Sequence, residues 1–299
     1  MTEKITPPNL QEAESLLADL FEEVKVKEGT LAGGERLGIG ATAVQSLKET
    51  KVSFGNPRDK LILLKEETFK EIGIELTSSY RQQMRNADFY YMTVPVDLRP
   101  KPGVQFWRLY CQLDFSPKGE QEPIVRTIFP QSKWETLMKW GIGMDLGLNE
   151  NLDWSVGVDA TKIAEIVNLP GNLKANIASK NEFKAFIVIP DYAYEVGCFE
   201  ITAQGEGNST CYWRIEEPVI QKMVTVKFAI VFQVPKGCQS INLEGTAWAE
   251  ANMDWLFADI RDVFSELADR FKNLLKSKNE AASQFALGDK EKWTLTLPK

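Results

Sequence analysis

Apolar and polar residues alternate most strictly near the middle of the C-terminal half. There Val224, Val226, Phe228, Ile230, Phe232 and Val234 fall on one side of an extended chain. A period of two marks a strand with one buried face. Pro235 to Gly237 turn the chain, and INLEGTAWAEA is the next strand. The run VQFWRLYCQLDFSP sets Trp107, Leu109, Cys111, Leu113 and Phe115 against Phe106, Arg108, Tyr110, Gln112 and Asp114. PIVRTIFP and EFKAFIVIP read as short buried strands, and YEVGCFEITAQ and STCYWRIEE flank the turn GEGN as a hairpin.

The period changes at the two ends. Leu10, Ala13, Leu16, Leu17, Leu20, Phe21 and Val24 make one helical stripe, with Asn9 placed as N-cap and a stop expected by Gly29. Leu256, Ile260, Val263, Phe264, Leu267, Phe271, Leu274 and Leu275 share a face of a second amphipathic helix. Trp293 to Leu297 suit one last short strand. Between these ends, Leu61 to Leu64 fit a strand or part of a helix, ATKIAEIVNLPGN a short helix, and SKWETLMKWG a single helical turn or bent strand. The stretch from Gly29 to Ala43 carries Gly33, Gly34, Gly38 and Gly40. It lacks the Lys-Ser or Lys-Thr pair of a phosphate loop and the third glycine of a dinucleotide loop, so it is expected to be a glycine-rich loop.

These patterns predict an α+β protein, mainly an antiparallel β-sandwich or open barrel with a helical N-terminal region and a C-terminal amphipathic helix. The proline cluster Pro95, Pro100 and Pro102 suggests a boundary near Pro100. The expected division is a helix-containing region over 1–100, an antiparallel β-rich domain over 101–250, and a helix and tail over 251–299 packed on that domain.

One stretch has a pattern with two readings. GIGMDLGLNENLDWSVGVDA, residues 141–160, folds on paper into a hairpin about Asn149-Glu150-Asn151. Leu148 then faces Leu152, Leu146 faces Trp154, Met144 faces Val156, and Ile142 faces Val158. The opposite face pairs Gly147 with Asp153, Asp145 with Ser155, and Gly143 with Gly157. A slip of one residue would put every apolar side chain on the wrong face. The same alternation describes a half-buried hairpin in a sandwich and a transmembrane barrel hairpin with a small polar lumen face. Each arm has about eight clean residues where a spanning strand needs roughly 9–11, and Lys139 and Lys162 bound it. Ile142, Met144, Leu146, Leu148, Leu152, Trp154, Val156 and Val158 are the candidate membrane or interaction residues.

Composition narrows the chemistry. The 299 residues contain no histidine. That removes Ser-His-Asp and Cys-His catalysis and histidine zinc sites, and shifts expectation away from an enzyme. No carboxylate pair presents itself as general acid and base, no Asp-rich calcium loop is found, and no catalytic, cofactor or metal residue is nominated. Cys111, Cys198, Cys211 and Cys238 lack ligand spacing and read as buried thiols. The eight tryptophans fit a core of large residues, with an aromatic binding platform as the other reading. The net charge of −7 disfavours nucleic acid. The N-terminal residues lack the apolar core of a signal peptide, and the expected location is the cytoplasm. The leading functional expectation is a non-catalytic binding protein with a protein partner. The alternatives are a soluble, membrane-acting effector of the pore-forming type that inserts β-hairpins, and a carboxylate-based enzyme without histidine. The oligomeric state is open.

Overall fold

Strict alternation becomes two antiparallel sheets packed face to face. The computed structural model describes residues 6–30, 39–58, 61–67, 78–129, 201–216, 220, 225–260, 265 and 278–299. Their elements run α1 (Leu10–Thr30), α2 (Ile39–Glu49), β1 (Lys51–Phe54), β2 (Ile62–Leu64), α3 (Ser78–Asn86), β3 (Ala87–Arg99), β4 (Phe106–Ser116), β5 (Ile124–Phe129), β6 (Ile201–Gln204), β7 (Thr210–Glu216), β8 (Thr225–Pro235), β9 (Ser240–Ala251), α4 (Asp254–Asp259), α5 (Lys278–Gln284) and β10 (Leu287–Thr296). The first sheet, sheet A, has the order β1-β3-β8-β5, with β2 also paired to β3. Sheet B has the order β10-β9-β4-β7-β6. The chain is an α+β protein built on an antiparallel sandwich.

Large side chains from both inner faces fill the space between the sheets. Trp213 from β7 meets Phe228 from β8 with ring centroids 4.8 Å apart, and Phe115 from β4 meets Phe232 from β8 at 4.8 Å. All four are fully buried. Truncation of one such ring to Ala costs about 3–5 kcal/mol in comparable cores. The other face of sheet A is buried as well, at Phe89, Tyr91, Ala229 and Val231.

A second apolar cluster joins the helices to the end of sheet B. Leu16, Leu17, Leu20 and Val24 of α1 pack with Val44 and Leu47 of α2, Leu256 of α4, and Ala281 and Ala282 of α5. The predicted stripe of α1 is therefore the buried one. Asn9 caps it as expected, its Oδ1 accepting from the Glu12 amide at 3.3 Å. The helix runs on through Gly29 to Thr30.

Three expectations need correction. The glycine-rich stretch is helical from Ile39 onward, as the start of α2, because Val44 and Leu47 are fully buried and their burial outweighs the helix cost of Gly40. β10 starts at Leu287, well before Trp293. A register shift between Phe106 and Arg108 moves Phe106 into the sandwich core and leaves Trp107 against the helical cluster. Pro100 opens the turn that carries the chain from β3 in sheet A to β4 in sheet B. β3 pairs with β8 from Ala87↔Pro235 to Asp97↔Thr225, and with β1 and β2 before it. This turn is fastened to the residue that follows α2, since Thr50 Oγ1 accepts from the Lys101 amide at 3.0 Å.

Candidate functional site

The eight candidate residues from Ile142 to Val158 lie outside the described residues, as do the expected EFKAFIVIP strand, the ATKIAEIVNLPGN helix and most of the predicted C-terminal helix after Ile260. What the structure does give is the two places where residues 130–200 join the sandwich. The chain reaches them from β5, and returns through β6. Among the described residues β5 ends sheet A and β6 ends sheet B.

These two strands lie on the same side of the sandwich, and the start of β5 is bonded to the turn that follows β6. The Val125 amide donates to the Asn208 carbonyl at 2.8 Å, and the Gly207 amide donates to the Val125 carbonyl at 2.8 Å. Side chains add to this clasp. Lys118 Nζ donates to Asp114 Oδ1 at 2.6 Å and to Ser209 Oγ at 2.5 Å, while Ser209 donates to Glu122 and Thr210 donates to Asp114 at 2.6 Å. A serine beside a lysine resembles a nucleophile and base. Here Lys118 lies against the Asp114 and Glu122 carboxylates, Ser209 donates to Glu122 and is 5% exposed, and the group binds loops together. β5 therefore runs away from the clasp towards Phe129, and β6 runs from Ile201 back towards it.

The outer face of sheet B carries a second polar group. Glu216 on β7, Arg108 on β4 and Glu250 on β9 occupy one row, because Arg108 is in register with both glutamates. Arg108 Nε is 3.4 Å from Glu216 Oε1, and Arg108 Nη1 is 3.5 Å from Glu250 Oε2. Arg214 Nε lies 3.1 Å from the same Glu216 oxygen. The Arg108 guanidinium sits 3.6 Å above the Trp107 ring. Glu250 is 2% exposed. Its Oε1 accepts from Ser283 Oγ of α5 at 2.6 Å, while its Oε2 accepts no hydrogen bond. The Trp107 indole approaches the carboxylate without completing a hydrogen bond. Burial pushes the Glu250 pKa above 4.5; Ser283, Arg108 and Trp107 pull against this and Glu216 adds to it. In the next row Tyr110 stacks on Trp248 with centroids 4.7 Å apart, and Leu10 of α1 packs against the pair.

Neither the clasp nor the charged row was nominated from the sequence. Their members come from strands far apart along the chain, and no local pattern joins them. Cys111 and Cys211 are buried thiols, as expected, and burial raises both above the ordinary range. Cys238 is only partly buried.

No family model matches the chain, and no curated protein matches it. Solved structures that resemble it include one described as a pore forming protein (TM-score 0.30, 6% identity, 68% of this chain and 78% of that chain). Others are the Clostridium perfringens NetB toxin in the membrane inserted form (TM-score 0.29, 5% identity, 68% and 83%) and Clostridium perfringens delta-toxin (TM-score 0.25, 10% identity, 68% and 78%). At these scores the likenesses carry no argument about this chain.

Proposed function

We propose that this chain is a membrane-acting protein of the pore-forming type that delivers the 141–160 hairpin into a bilayer. The observation that supports this is the attachment of residues 130–200. They join the sandwich through β5 and β6, which end the two sheets among the described residues, and Val125 of β5 is bonded to Gly207 and Asn208 in the turn after β6. A rearrangement of the intervening chain then breaks none of the pairings among β3, β8, β9, β4 and β7 that hold the two sheets.

The hairpin pattern supplies the chemistry. Ile142, Met144, Leu146, Leu148, Leu152, Trp154, Val156 and Val158 would meet lipid, and Gly143, Asp145, Gly147, Asp153, Ser155 and Gly157 would line water. Lys139 and Lys162 would hold their charges at the level of the head groups. An open strand edge is not tolerated in hydrocarbon, so the barrel must close. Two strands per copy require about four copies or more to reach the smallest barrels of about eight strands.

The test is dye release from liposomes by the whole protein, before and after limited proteolysis. Release by the wild type, lost in a folded Leu146→Asp variant, supports the reading. Sealed liposomes under all conditions would refute it, and the binding-protein expectation would take its place.

A further inference from the structure

Glu250 connects two layers of the molecule. It stands on β9 in sheet B, and among the described residues its one side-chain hydrogen bond comes from Ser283 on α5. On its other sides α5 packs into the cluster that contains Leu16 and Leu20 of α1. We propose that Glu250 is a proton-operated joint: α5 sits more firmly on sheet B when the carboxyl is neutral and loosens when it is charged.

The argument rests on which partners each form keeps. The charged form has one hydroxyl donor and one guanidinium, and Glu216 draws on that same guanidinium from 3.4 Å. An ion taken almost fully out of water with one oxygen lacking a hydrogen bond is costly. The neutral form keeps the Ser283 bond and removes the repulsion from Glu216. Arg108 is not orphaned, because Glu216 still pairs with it. The charged or titratable groups that face Glu250 among the described residues are Arg108 and Tyr110 on β4 and Glu216 on β7, with Arg214 behind it. Burial raises the carboxyl pKa in the docked state. A raised pKa gives stability that is complete at low pH and is lost as pH rises through the docked value. Lower pH therefore tightens this contact, and higher pH relaxes it.

Hydrogen exchange of the full chain between pH 5 and 8, corrected for the intrinsic pH dependence of exchange, tests this. Amide protection over residues 278–286 should fall as pH rises, by no more than about tenfold per pH unit for one proton. Glu250→Gln should hold the protected level across the range. Ser283→Ala removes a bond that favours the charged carboxylate, so its transition should move to higher pH. A flat wild-type profile, or a Glu250→Gln profile with the wild-type slope, would overturn the proposal. If Glu250→Gln does not fold, the Ser283→Ala midpoint decides: an upward move supports the joint and an unmoved midpoint overturns it.

Discussion

At Gly205, the turn between β6 and β7, the backbone has φ +127°, and a Cβ would overlap Cys211 Cα and lie 2.5 Å from the Thr210 carbonyl oxygen. Neither a rotamer change nor a side-chain shift relieves a clash with backbone. Gly205→Ala should lower stability by about 1–3 kcal/mol, read as a lower urea midpoint. Tyr90 offers a pH-dependent case. Its pKa is pushed up to about 12, first by burial, and its hydroxyl donates to the Pro298 carbonyl at 3.4 Å. Unfolded, the phenol ionises near 10; folded, it holds its proton longer. The chain should lose stability between about pH 10 and 12 as the unfolded state sheds the proton first. Thermal melts of Tyr90→Phe should fall less steeply with pH over that range than those of the wild type.

At the level of elements, strict alternation was the most legible feature. Val226, Phe228, Ile230, Phe232 and Val234 face the core as the period of two requires. The stripe of α1 was equally plain, and Leu20→Ala, at a site with no exposure, should cost about 2–5 kcal/mol in chemical unfolding. The misread elements share a physical cause, which is structure imposed by neighbours. Asp289, Lys290, Glu291 and Lys292 show no alternation, yet they are strand because β9 supplies a partner from Ala247 to Glu244. Lys290 and Lys292 also hold Glu244 between them, at 2.5 and 2.8 Å. Trp107 left the expected face because a bulge inserts one residue, and a bulge leaves no mark on a hydrophobic pattern. The charged row of Glu216, Arg108 and Glu250 depends on three strands coming into register, which no local window contains. The candidate hairpin was legible only as a pattern, and its residues lie outside those described.

Across the whole molecule, the two sheets are fastened at both flanks by different means. On one flank Asp289 Oδ2 accepts from the Phe54 amide at 2.9 Å, and Phe54 meets Trp293 edge to face at 5.2 Å. This bond satisfies a donor on the β1 edge and makes that edge a poorer template for another strand. The other flank is held by the clasp. Lys118→Met should cost about 1 kcal/mol in unfolding, since Lys118 is half exposed. Dye release should persist in this variant, because the Val125 backbone bonds to Gly207 and Asn208 do not involve the lysine.

The pairing of β3 with β8, in which Tyr90 lies opposite Phe232, also dictates an order of events during synthesis. When β3 leaves the ribosome β1 and β2 are already made, but β8, which pairs along nearly all of its length, emerges only after residues 130–200 have been translated. Sheet A cannot be completed from local pairings alone, and such long-range pairing is slow, on the order of milliseconds to seconds. Residues 130–200 are thus translated before the sandwich can close. A nascent chain released short of residue 225 should be digested by protease at once and should aggregate, whereas one extended through β10 should resist.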